Sequence, residues 1–150
     1  MFNLSINLNA PLNFAEMILE NKLSFLIRKA IFEVNKNLGP GLNESIYEEA
    51  LNYELLKMNL NVERQVVFPV FYKDIYLQKT FAVDMVINKA VIIESKSVES
   101  INEIHKSQLL NYLKLSGIQL GILINFNTNY ILDKRDIFRI VNSINNRIKK

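Results

Sequence analysis

The sequence predicts an α/β layer fold ordered helix, helix, three antiparallel strands, helix, strand. Three observations predict it. Helical apolar spacing runs from Ala15 to Leu38 and again from Asn43 to about Met58. The spacing then changes to period two from Val62, through three consecutive strand-like runs. Helical spacing returns over 101–116, followed by the very apolar run Ile118 to Phe126.

Each element has a local reason. In the first helix Leu19, Leu23, Leu26, Ile27, Ala30, Ile31 and Val34 form a wide apolar stripe. Gly39-Pro40-Gly41 stops it, with Gly39 as C-terminal cap and Pro40 barring continuation. The second helix carries Tyr47, Leu51, Leu55 and Met58 on one face, with Glu44 one turn earlier on that face. Val62, Arg64, Val66, Phe68 and Val70 alternate with the residues between them, and Lys73-Asp74 is the expected hairpin turn. A second strand is expected from about Ile75 to Ile87. The third, Val91-Ile92-Ile93-Glu94-Ser95-Lys96, is apolar on both faces before it meets its charges, as a central strand would be. In the third helix the stripe reads Ile101, Ile104, Gln108, Tyr112 and Leu115, and Gly117 ends it. The tail is open: Ile137, Ile140, Val141, Ile144 and Ile148 fit a helix, while Phe138-Arg139-Ile140-Val141 fits the start of a strand. Residues 1–13, Asn-rich and broken by Pro11, read as a flexible or strand-like arm. With no repeat and no linker, the 150 residues read as one domain.

Composition narrows the chemistry. There is no cysteine, which excludes disulfides, thiolate metal sites and cysteine nucleophiles and suits a cytoplasmic setting. One histidine, His105, excludes a multi-histidine metal site and reads as a surface or boundary residue. Any metal must be held by carboxylates, which favours magnesium or manganese. No signal peptide and no apolar run of membrane-spanning length is visible. Eighteen basic against fifteen acidic residues give a net charge of +3, which permits phosphate contact without requiring it. Arg147, Lys149 and Lys150 read as a solvated basic end.

Glu94 and Lys96, two apart on a strand, share a face near the end of an otherwise apolar run. A structural ion pair at a wet strand end is the plain reading. Asp84 changes it, because aspartate is disfavoured inside a strand such as Phe81-Ala82-Val83-Asp84-Met85-Val86-Ile87. If strands two and three pair, two carboxylates lie side by side, and a divalent cation would relieve their repulsion. The chemistry would be metal-assisted hydrolysis, with Lys96 stabilising developing negative charge. The register contains a test. A two-residue turn pairs Ile87 with Ala90 and puts Asp84 and Glu94 on opposite faces. The site requires Asn88-Lys89-Ala90 as a three-residue turn pairing Ile87 with Val91, or a bulge. Glu44 is a candidate third acid, or simply a first-turn acid favoured by the helix dipole. Gln108, placed by its neighbours on the inner stripe, could hold water or phosphate, or cap a backbone group. Tyr47 and Tyr112, on the same stripes, are weaker candidates for substrate contact.

Gly41-Leu42-Asn43-Glu44-Ser45-Ile46-Tyr47 reads G-x-x-E-x-x-Y, followed by Glu48-Glu49-Ala50-Leu51. Then come Asp84, Glu94-Ser95-Lys96, His105-Lys106-Ser107-Gln108 through Lys114, and Leu123-Ile124-Asn125-Phe126. Over about residues 17 to 130 this resembles the GxxExxY protein family, a branch of the PD-(D/E)XK nuclease superfamily. The resemblance implies a restriction-endonuclease-like core (α-β-β-β-α-β) with an extra N-terminal helix. It implies catalytic positions at Glu44, Asp84, Glu94, Lys96 and Gln108. It implies Mg2+ or Mn2+ held by Asp84, Glu94, the carbonyl of Ser95 and Glu44, with DNA or RNA as partner. The chain departs from the family at Asn35, where a histidine is common, and at Ala82, where an arginine is common. Both departures bear on substrate contacts rather than on metal binding. A catalytically inactive module that binds nucleic acid or a protein partner is the other reading. The apolar stripe of the first helix would serve a homodimer or protein partner, or the core.

Overall fold

The computed structural model describes residues 14–143. In chain order it contains α1 (Phe14–Leu38), α2 (Glu44–Lys57), β1 (Val62–Tyr72), β2 (Ile75–Ile87), β3 (Val91–Lys96), α3 (Glu103–Ser116), β4 (Leu120–Asn125) and β5 (Ile137–Val141). The five strands form one sheet in the order β1-β2-β3-β4-β5, which puts β3 in the middle. β1, β2 and β3 are antiparallel neighbours, and β3 and β4 are parallel. A parallel pair needs a crossover, and α3 supplies it. Among the described residues no helix is long and apolar enough to cross a membrane.

Helices α1 and α2 cover one face. Ile27, Ala30, Ile31 and Val34 with Tyr47, Leu51 and Leu55 pack on Met85, Ile87, Val91, Ile93, Leu120, Ile122 and Ile124. Helix α3 covers the other, with Leu109 and Leu113 on Val83, Val86, Ile92 and Leu123. The expected α3 stripe is therefore corrected in part: Ile101 and Tyr112 pack at the edge of this cluster, but Ile104, Gln108 and Leu115 do not. Leu109 and Leu113, four apart, point inward, while Ile104 is 76% exposed and Gln108 is exposed. The side with Gln108 lies along the helix edge instead. Helix α3 is closed at both ends. Asn102 and His105 form a reciprocal capping box, and Gly117 (φ 76°) ends the helix in the left-handed region. His105 thus has a structural task that its sequence position did not reveal.

Helix α3 sits tight on β4 because residue 121 is glycine. A Cβ there would stand 2.9 Å from Cδ2 and 3.0 Å from Cγ of fully buried Leu109. Gly121→Ala is expected to cost about 1–3 kcal/mol by overpacking, read as a lower denaturant midpoint at an unchanged slope.

The tail resolves as a strand over Ile137–Val141. It pairs antiparallel with β4, from Leu120↔Val141 to Ile124↔Ile137, and removes β4 from the sheet edge. The helical alternative drew on Ile144 and Ile148, which lie outside the described residues, as do the expected N-terminal arm and the basic end.

One feature of β1 and β2 departs from simple alternation. Val62 packs in the α1/α2 core, and Arg64 reaches Glu48 on α2. Val66 and Phe68, of the same parity, pack on the α3 side. On β2, Met85 and Ile87 belong to the α1/α2 core, yet Val83 and Phe81 belong to the α3 core. Both strands therefore exchange faces at the level of Gln65 and Asp84. The register is kept through this step, Arg64↔Met85 before it and Val66↔Val83 after it. Gln65 has φ 48°, a left-handed backbone that costs a non-glycine residue roughly 1–3 kcal/mol.

Candidate metal centre

The turn that decides the site has three residues. Ile87 pairs with Val91, and Ala90 N donates to Ile87 O at 2.9 Å. Asn88 and Lys89 take positive φ (50° and 55°). Asn88 Oδ1 accepts from Asn61 N, and Asn88 N donates to Asn61 O, which pins the turn to the start of β1. This is the register that puts Asp84 next to Glu94.

The backbone ladder between β2 and β3 covers Ile87↔Val91, Val86↔Ile92 and Met85↔Ile93, and stops. Side chains take over at the next level. Glu94 Oε1 accepts from Asp84 N at 3.1 Å. Asp84 Oδ2 accepts from Ser95 N at 2.9 Å and from Ser95 Oγ at 3.3 Å. Each carboxylate thus bonds the backbone of the opposite strand. Strand β3 keeps its full pairing with β4 here, including Lys96↔Asn125.

Glu94 is 5% exposed. Its carboxyl is pushed up to about 8, first by burial, then by the Asp84 charge and, last, by Glu44. The hydrogen bond from Asp84 N and the charge of Lys96 oppose the shift. A buried acid beside a second acid is a site short of positive charge. The bonds above leave Asp84 Oδ1 and Glu94 Oε2 without a protein donor among the described residues. The donor set, two adjacent carboxylates with a free oxygen each, fits a hard divalent cation.

The remaining expected residues are placed differently. Lys96 Nζ lies 3.5 Å from Gln108 Oε1, a marginal hydrogen bond that brings β3 and α3 together at the site. Glu44 is exposed, and its Oε1 accepts from Ser97 N at 3.2 Å. It reaches the residue after Lys96, close enough to act on Glu94, but it does not join the carboxylate pair. Among the described residues no group of three or more acidic, histidine or cysteine side chains is placed to hold an ion. Tyr112 is half-buried and stacks on Phe81 (4.6 Å, 8°), which stacks on Phe68 (5.4 Å). Burial, then Glu94 and Asp84, raise its hydroxyl, so it stands in the field of the acids.

Tyr47 is corrected. It is fully buried, donates to Gly39 O at 2.6 Å and accepts from Leu42 N at 3.2 Å. Its ring stacks on Phe126 at 4.8 Å. A substrate cannot touch it; it anchors the Gly39–Gly41 turn that delivers Glu44. Asn35, also buried, donates to Thr128 O.

Sequence reasoning missed the supports around Lys96. Asn125 is 1% exposed. Its Oδ1 accepts from Val98 N and Asn127 N, and its Nδ2 donates to Val98 O. Asn127 Oδ1 accepts from Gly41 N, and Ser97 Oγ donates to Leu42 O. These bonds tie the ends of β3 and β4 to the turn before α2. An asparagine closing the apolar run of β4 was the available signal.

A model of the PD-(D/E)XK nuclease superfamily matches residues 21–140. No curated protein matches the chain. The crystal structure of SSO0001 aligns with a TM-score of 0.50 and 20% identity, over 86% of this chain and 79% of that one, a likeness of fold alone. The five-stranded sheet, the interlocked acids of β2 and β3, and a family match across most of the described residues agree. The chain belongs to the PD-(D/E)XK nuclease superfamily.

Proposed function

We propose that this chain is a magnesium- or manganese-dependent nuclease that hydrolyses phosphodiester bonds in DNA or RNA, and that it is a one-domain member of the GxxExxY branch. The observation that carries the reading is the Asp84–Glu94 interlock, with one free oxygen on each acid and Lys96 beside it. Asp84 and Glu94 would hold the cation, with the Ser95 carbonyl as the third protein ligand. When bound, it would polarise the phosphate and lower the pKa of a water. Lys96 is positioned to stabilise negative charge developing on the phosphate. Gln108, at the exposed edge of α3, orients Lys96 or the attacking water. Glu44 closes the rim through Ser97, and Tyr112 offers an aromatic edge to the substrate.

A second reading, a nuclease-fold module that binds nucleic acid without cutting, is favoured by the separation of Glu44 from the two central acids. One experiment separates them. Magnesium or manganese is titrated into the protein while thermal unfolding is followed, and single- and double-stranded DNA and RNA are then assayed for cleavage. The nuclease reading expects a rise of about 5 °C or more at saturating metal, and cleavage. Salt-dependent nucleic-acid binding without cleavage would establish the second reading. No metal shift and no nucleic-acid binding would defeat both.

A further inference from the structure

We propose that Gln65 is a positioning residue: its left-handed backbone makes the turn that lays the Asp84 side chain between β2 and β3. This rests on the reading of Asp84 as a metal ligand, but its geometric part stands apart from that reading.

The register on either side sets Gln65 opposite Asp84, and this is the pair that the β1–β2 ladder omits. The exchange of faces in both strands occurs at this level. A regular strand sends neighbouring side chains to opposite faces. Here two neighbours converge on one acid. Arg64 Nε donates to Glu48 Oε1 at 3.0 Å, and Gln65 Nε2 donates to Glu48 Oε2 at 3.1 Å. Gln65, between these two bonds and β2, has a positive φ of 48°. Glu48 is 7% exposed and has both oxygens engaged, so its burial depends on these donors. Arg64 is held further by Glu49 at 2.8 Å.

The consequence falls on Asp84. Strand N–H groups lie in the plane of the sheet. Asp84 Oδ2 accepts from Ser95 N, so the carboxylate lies in that plane, where a backbone carbonyl would otherwise stand. On an uninterrupted β2 the side chain would instead project from a face, as Val86 does toward α3. The kink at Gln65 is what frees this step from regular pairing. Gln65 bonds Glu48 and neither central acid, so it acts through the backbone of its partner strand.

The test uses the full chain with Gln65→Gly and Gln65→Val. Glycine takes the left-handed conformation freely, whereas valine resists it. Two readouts are taken: manganese affinity by calorimetry, and the Ser95 amide proton shift by NMR without metal. In Gln65→Gly, affinity is expected within about threefold of wild type, with the Ser95 amide unmoved. In Gln65→Val, affinity is expected to fall by about tenfold or more, with the Ser95 amide shifted upfield as its bond to Asp84 is lost. If the valine variant does not fold, Gln65→Ala takes its place against glycine. A folded valine or alanine variant with wild-type affinity and an unmoved amide would overturn the proposal, as would equal losses in both variants. If the wild type takes up no manganese, the metal reading fails on its own, and the Ser95 amide still decides whether Gln65 positions Asp84.

Discussion

Under the proposed nuclease reading, Asp84→Asn is expected to abolish both the metal-dependent rise in unfolding temperature and the cleavage, with activity falling by about a thousandfold or more. The substitution keeps the shape of the side chain. Its remaining oxygen can still accept from Ser95 N and Oγ, as Asp84 Oδ2 does. The fold should therefore survive, and the loss is one of charge and of a ligand oxygen. Lys96→Met provides the contrast. Its ammonium meets Gln108 and acts on Glu94 from a distance, but supplies no oxygen to a cation. That variant should take up metal as the wild type does, while cleavage drops by about a hundredfold or more. The two variants separate holding the ion from stabilising the reaction. An Asp84→Asn protein that cuts at the wild-type rate would remove Asp84 from the mechanism. A Lys96→Met protein that no longer takes up metal would show the lysine to be a structural support.

What was legible follows from where local chemistry decides. The three-residue turn at Asn88-Lys89-Ala90 was readable because one residue more or less flips every side chain of β3 relative to β2. The central place of β3 was readable from its unbroken apolar run. The α3 stripe was misjudged at Ile104 and Gln108 because they are as regularly spaced as the fully buried pair, Leu109 and Leu113. Spacing alone does not say which stripe the sheet takes. Strand β5 was ambiguous because Ile137, Ile140 and Val141 satisfy both periods, and the tie is broken by β4, a tertiary partner. The face exchange at Gln65 was invisible. Val62, Arg64, Val66 and Phe68 share one parity, and nothing in glutamine announces a positive φ. The Asp84–Glu94 juxtaposition was legible as a register argument, but its form was not. No sequence pattern says that the two acids will replace the backbone ladder with bonds to each other's strand.

The pH dependence of the metal-free protein tests the electrostatics of the pair directly. Glu94 is raised from the ordinary 4.5 to about 8, mainly by burial and next by Asp84. The groups acting on it come from several elements: Asp84 on β2, Lys96 on β3 and Glu44 on α2. Tyr112 on α3 feels the same acids in return. Between these two values the folded protein holds a proton that the unfolded chain has released. The folded state then binds more protons, so stability falls as pH rises through this window. The effect of this group is absent below the lower value and complete above the higher one, and amounts to a few kcal/mol in order of magnitude. Glu94→Gln removes the titration. Its stability profile should be flatter across the window, and above pH 8 the metal-free variant should be the more stable protein. Under the proposed nuclease reading, metal uptake carries the opposite slope, because below about 8 a bound cation must displace the proton on Glu94. Affinity for manganese should therefore rise by up to about tenfold per pH unit and level off near pH 8. Denaturant unfolding of both proteins from pH 5 to 9, with manganese titrations of the wild type across the same range, reads both slopes. Parallel stability profiles for wild type and Glu94→Gln would mean that Glu94 is ionised and compensated without a metal, and the site would not need one.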